Sequence, residues 1–157
     1  MSSHNINRIG VIGFGAIGHR VIKTLRDAIM PSASYAVVDL KNNPIPTYLS
    51  RFTNVAALID WHPDLVIECA GHGAVAHSVP SILERGIDVV IVSIGALADD
   101  KLRQALEQSA TKGGAKLHLV SGAIGGLDAL RSARSAGLDS VCYKGEKAAP
   151  FLERLCR

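Results

Sequence analysis

The pattern Gly13-Phe14-Gly15-Ala16-Ile17-Gly18 does most to narrow what this chain can become. It follows a short β-rich run, Arg8–Ile12 (RIGVI). It opens a segment in which Ile17, Val21, Ile22, Leu25 and Ile29 recur at helical spacing. Glycines are costly in chain entropy, and a turn with no ligand does not need three of them so spaced. Gly13 permits the tight turn, Gly15 lets a ligand approach the backbone, and Gly18 lets the helix pack close to the strand. The helix start then offers free N–H groups and a partial positive charge to an anion. A strand, then G-x-G-x-x-G, then a helix is the arrangement that grips a pyrophosphate. NAD or NADP is therefore the expected cofactor, with Gly13, Gly15, Ala16, Ile17 and Gly18 as its contacts.

The rest of the chain alternates apolar runs with helical patterns. Runs at 35–40 (YAVVDL), 64–70 (DLVIECA), 88–93 (DVVIVS) and 116–120 (KLHLV) read as strands, and 47–52 as a shorter one. Helices are expected from the glycine turn to residue 28, ended by Pro31, and after an Asn54 cap to Ile59. Two more are expected, over 74–85 before Gly86 and from an Asp99 cap to Lys112 before Gly113-Gly114. A further helix is expected at 127–135 and a strand at 138–143. The central runs are apolar on consecutive residues, as in strands covered on both faces. The expected fold is an α/β, Rossmann-type doubly wound parallel sheet with helices on both faces, over residues 1–126. Residues 127–157 read as the incomplete start of a second, α+β substrate domain. The strand at 138–143 needs a partner, either the first sheet or another chain, and a homo-oligomer is the expected assembly.

Composition removes several classes. Hydrophobic residues make up 48% and charged residues 20%, enough for a packed core. Aromatics are only 4% and the net charge is +3 with scattered basic residues, so no nucleic-acid surface is expected. No apolar run reaches the length of a membrane span. Residues 1–7 are polar and do not read as a signal, so the cytoplasm is the expected compartment. Cys69, Cys142 and Cys156 follow no disulfide or metal spacing, and no metal site is expected.

Asp39 ends the second strand about 20 residues after Gly18, where an acid can accept from the adenosine ribose and disfavour a 2′-phosphate. That favours NAD, although nearby Lys41 could instead hold such a phosphate. Ligands of open α/β sheets sit beyond the carboxyl ends of the strands. There the chain places small, glycine-bearing segments: Glu68-Cys69-Ala70-Gly71-His72-Gly73, Ser93-Ile94-Gly95-Ala96, and Ser121 to Gly126. His72, read as a loop residue between glycines, is the catalytic candidate, since imidazole can act as acid or base. A histidine touching only solvent or the cofactor backbone is the simpler reading.

GFGAIG, PDLVIECAGHGAVAHSVPSIL, GIDVVIVSIGALAD and LVSGAIGGLDALRSA together resemble the L-aspartate dehydrogenases associated with NAD biosynthesis. The likeness runs from about Arg8 to Gly145. It implies NAD(P)-dependent oxidation of L-aspartate at Cα to iminoaspartate, which hydrolyses to oxaloacetate and ammonia or feeds quinolinate synthesis. By matching motif it implies that Ala123 contacts the nicotinamide cofactor, and that Gly71 and His72 form the loop beside it. Members of that family continue into a substrate domain carrying an asparagine that contacts the cofactor and the histidine assigned as acid/base. Neither has a counterpart before Arg157, and 147–157 (KAAPFLERLCR) does not read like the family. A truncated gene, a frameshift or a deliberate fragment would each give such an ending. Two other readings compete: a nucleotide-binding module without turnover, and another Rossmann reductase of the dihydrodipicolinate reductase or homoserine dehydrogenase kind. SGAIGGLDAL counts against the latter.

Overall fold

The computed structural model describes residues 6–39 and 44–120, with residues 134, 137 and 140. The chain divides after Gly122 into two units, and every element below lies in the first, Met1–Gly122. The expected helix at 127–135, the expected strand at 138–143 and Ala123 lie outside the described residues, as does Lys41.

Six strands form one parallel sheet. They are β1 (Arg8–Ile12), β2 (Ser34–Val38), β3 (Leu49–Phe52), β4 (Leu65–Glu68), β5 (Asp88–Ile91) and β6 (Leu117–Leu119). Their spatial order is β3-β2-β1-β4-β5-β6. Each neighbouring pair is parallel. The doubly wound fold expected from the uninterrupted apolar runs is thus what forms. The reason is visible in the core, which lies in two layers. Ile9, Val11, Tyr35, Val37 and Ile67 face one side of the sheet with Ile22 of α1 (Ala16–Thr24). Ile12, Ala36, Val38, Val66, Val89 and Ile91 face the other. There they meet α2 (Val55–Asp60), α3 (His72–Leu83) and α4 (Asp100–Gly113). Alternate residues of one strand enter opposite layers, so both phases of the alternation must be apolar. Leu58 of α2 is fully buried, and its side chain fills the space above Gly10 where a Cβ would come within 2.9 Å of it. Burying a side chain of that size contributes about 2 kcal/mol.

Two expected caps form. Asn54 accepts from the Ala57 N–H at 2.8 Å, and Asp99 accepts from the Lys101 and Leu102 N–H groups at 2.9 and 3.2 Å. Several boundaries differ from the sequence expectation. Strands β2 to β6 differ from the expected bounds by one or two residues at their ends. The first helix does not run evenly to residue 28: α1 ends at Thr24 and a π turn covers Leu25–Ile29. Pro31 excludes helical geometry at Met30, and the last turn widens so that the Met30 N–H reaches the Leu25 carbonyl at 2.6 Å. Among the described residues no helix is long and apolar enough to cross a membrane.

Candidate functional site

The strand order reverses between β1 and β4, whose register pairs Ile12 with Glu68. The two chains therefore leave the sheet side by side, and a crevice opens at this point. The Gly13 N–H donates to Val38 O and the Cys69 N–H to Ile12 O, each at 2.8 Å, so β1, β2 and β4 stay stitched together up to the crevice floor.

The glycines of the turn stand where they do for different reasons. Gly13 has φ +91°, a conformation that suits glycine, and an added Cβ would lie 2.8 Å from Cα and Cβ of Ala70. A Cβ on Gly18 would run into the Gly13 carbonyl. Gly15 has neither reason. Its φ of −79° and ψ of −164° are ordinary extended backbone, and a Cβ there would meet nothing within 4 Å. The protein itself leaves that space free. A pyrophosphate seated on the turn is the kind of group that fills such a cradle.

Two helices open on this crevice, α1 with Gly15 as N-cap and α3 with Gly71. Neither N-cap has a side-chain hydrogen bond and neither first turn carries an acid. Their amide groups thus keep their pull on an anion. The other two α-helices carry the Asn54 and Asp99 caps. Ala16 and Ile17 lie in the first turn of α1, and Ile17 is 54% exposed, an apolar surface beside the glycines.

Asp39 follows β2, on the far side of β1 from β4. Its Oδ2 is buried and has no hydrogen-bond partner among the described residues. An orphaned carboxylate oxygen is costly, and a ribose hydroxyl would satisfy it. The open space over Gly15 and the orphaned Asp39 oxygen fit a dinucleotide bound across the crevice.

His72 is not on a loop. Gly71, at φ +120°, turns the chain so sharply that His72 and Gly73 already belong to α3. The imidazole is exposed and lies over Gly95, whose added Cβ would come within 2.7 Å of the ring Nε2. The segment after Ser93 is likewise not an open loop but a 3₁₀ turn, Ile94–Ala98. Sequence reasoning grouped Gly13, Gly15, Gly18, Ala70, Gly71 and His72, and in the structure these residues follow the neighbouring strands β1 and β4. It missed Glu68, which is fully buried at the end of β4. Its Oε1 accepts from the N–H groups of Ala70 and Gly71 at 2.7 and 2.8 Å and from Ser93 Oγ at 3.0 Å. Its Oε2 accepts from the Ser93 N–H at 3.1 Å. The available signal was a glutamate inside the apolar run LVIECA. Beside it, burial pushes the half-buried Cys69 thiol up to about 11, with the Glu68 charge adding to the effect, so little of it is thiolate near neutral pH. Among the described residues no group of three or more His, Cys, Asp or Glu could hold a metal ion.

The family model described as the NAD-binding domain of homoserine dehydrogenase matches residues 13–120. The L-aspartate dehydrogenase of a Polaromonas species is 43% identical over 146 residues, covering 89% of this chain and 55% of that protein. The enzyme of the same name from Cupriavidus necator is 40% identical over 148 residues, covering 90% and 55%. This chain thus spans about half the length of the curated relatives it matches. Among solved structures, aspartate dehydrogenase from Thermotoga maritima superposes with a TM-score of 0.66 at 25% identity, covering 87% of this chain and 61% of that one. Biliverdin reductase from Synechocystis shares the fold at 21% identity and a TM-score of 0.61. With the glycine cradle, the switch-point crevice and a family match over more than half of its residues, the chain belongs to the homoserine dehydrogenase NAD-binding domain family and takes NAD or NADP as its cofactor.

Proposed function

We propose that this chain is the cofactor-holding part of an L-aspartate dehydrogenase. It would carry out NAD(P)-dependent oxidation of L-aspartate to iminoaspartate, which goes on to oxaloacetate and ammonia or into NAD biosynthesis. The single observation behind the cofactor half of this reading is the space over Gly15, which neither backbone conformation nor packing requires. Support for the substrate half comes from relatives named L-aspartate dehydrogenase at 38–43% identity. They favour it over a homoserine dehydrogenase-like reductase, although the family description names that enzyme.

When bound, the nicotinamide supplies the acceptor for the hydride leaving the substrate. The chain's own residues bind and orient. The amides of Gly15, Ala16, Ile17 and Gly18 hold the diphosphate, with Gly13 shaping the turn beneath it. Asp39 takes the adenosine ribose hydroxyls, which favours NAD over NADP. Ala70, Gly71 and His72, with Ala123 by resemblance, border the nicotinamide half. His72 is the one titratable side chain we place beside the reacting ring. A domain of residues 1–126 followed by the start of a substrate domain at 127–157, a homo-oligomeric state and a cytoplasmic location complete the proposal.

A second reading, cofactor binding without turnover, is favoured by one feature. The segments leaving β1, β4 and β5 (13–15, 69–71 and 92–93) carry no lysine or arginine to face the two carboxylates of aspartate. Mixing the purified chain with L-aspartate and NAD or NADP and following absorbance of the reduced cofactor separates the two. Reduction dependent on aspartate is the expected result. Calorimetric cofactor binding with no reduction would establish the second reading, and absence of binding would overturn both.

A further inference from the structure

We propose that Glu68 is a positioning residue that sets the shape of the nicotinamide half of the crevice; this deepens the dinucleotide-binding reading and rests on it. Among the described residues Glu68 is the only buried charged side chain. Among the described residues no lysine, arginine or histidine is bonded to it. Four donors from two separate loops converge on its carboxylate instead: the amides of Ala70 and Gly71 after β4, and both the amide and the hydroxyl of Ser93 after β5. Ser93 lies 25 residues away in sequence, so the carboxylate fixes the β4 exit against the β5 exit, both on the same side of the crevice.

Its reach extends further through packing. Ala70, held by Glu68, closes against the space Gly13 leaves open. Gly71, held by the same oxygen, starts α3 and so places His72, whose ring lies over Gly95 just beyond Ser93. One side chain thereby ties together the β4 exit, the β5 exit and the first residue of α3. The chemistry requires a carboxylate. It is an acceptor on both oxygens, and it takes all four bonds, three on Oε1 and one on Oε2. An amide in its place would keep one oxygen and turn an NH₂ toward a donor. Asp39, by contrast, stands at the β2 exit on the adenosine side, so the two halves of the crevice are shaped by different residues.

The test is Glu68→Gln in the full 157-residue chain, measuring Kd for NAD and for ADP by calorimetry well below the melting temperature. ADP probes the adenosine and diphosphate positions alone. We expect NAD binding to weaken by about tenfold or more, since a bond to a charged group is lost and a donor faces a donor. ADP binding should change by less than about twofold, because Glu68 bonds to none of the residues placed on the adenosine or the diphosphate and reaches the glycine turn only through Ala70. Equal weakening of both ligands would show a merely structural carboxylate and overturn the proposal, as would no change in either. Should Glu68→Gln not fold, Ser93→Ala removes one donor only and is expected to weaken NAD selectively by about threefold; unchanged NAD binding there would likewise overturn it. A wild-type chain that binds neither ligand would overturn the dinucleotide reading, and this inference with it.

Discussion

Replacing Gly15 by valine separates two reasons for a glycine at the start of α1, the needs of the fold and the needs of a ligand. In the free protein the change costs little. The backbone is extended (φ −79°, ψ −164°) and the new side chain enters open space. Reduced freedom of the unfolded chain stabilises by about 0.4–1 kcal/mol, while loss of a tolerated N-cap residue costs about as much. The melting temperature of the free variant should therefore stay within about 3 °C of wild type, because each kcal/mol moves a domain of this size by about 2–4 °C. With NAD the two diverge. At a ligand concentration of about 100 Kd, binding adds about 2.7 kcal/mol to the wild type, and that raises its melting temperature by about 5–10 °C. A valine side chain standing in the diphosphate position should abolish that rise. The assay is thermal unfolding followed by circular dichroism, with and without NAD. A Gly15→Val variant that keeps the full NAD-induced shift would refute placement of the diphosphate on the glycine turn. A large loss of stability in the free variant would refute the claim that the fold does not need this glycine.

Gly13→Ala should behave in the opposite way, losing about 3 kcal/mol of stability without any ligand, because a positive φ and the approach of Ala70 both resist a Cβ; a urea midpoint like that of wild type would contradict this. Asp39→Ala removes a negative charge from the ribose site and should raise the NADP-to-NAD affinity ratio at least about tenfold in competitive titrations. An unchanged ratio would mean that Asp39 does not face the ribose. Because the Cys69 thiol is pushed up to about 11, its alkylation rate should climb tenfold per pH unit up to about pH 10, as thiolate is the reacting form and its fraction rises until the pKa is passed. An unperturbed cysteine, with a pKa of about 8.5, levels off earlier. Peptide mapping by mass spectrometry, which resolves Cys69 from Cys142 and Cys156, would contradict this if the Cys69 rate reached a plateau near pH 9.

Much of this protein was readable in one dimension. Consecutive apolar residues in β4 and β5 announced strands covered on both faces, because each alternate residue had to satisfy its own core layer. The glycine turn announced a cofactor, and Asn54 and Asp99 announced helix starts, because caps act within three residues along the chain. These are short-range constraints, and side-chain type with spacing encodes them fully. What the tertiary structure alone decided is which strands become neighbours, and so what meets at the switch point. The pattern assigns Gly13, Gly15 and Gly18 different roles, and the folded chain supplies the distances, with Gly15 facing open space while the others face the protein. The pattern was silent on the orphaned Asp39 oxygen and on Glu68 bonding to Ser93. A hydrogen bond between residues far apart in sequence exists only once loop-closure entropy has been overcome by packing, so no local pattern records it.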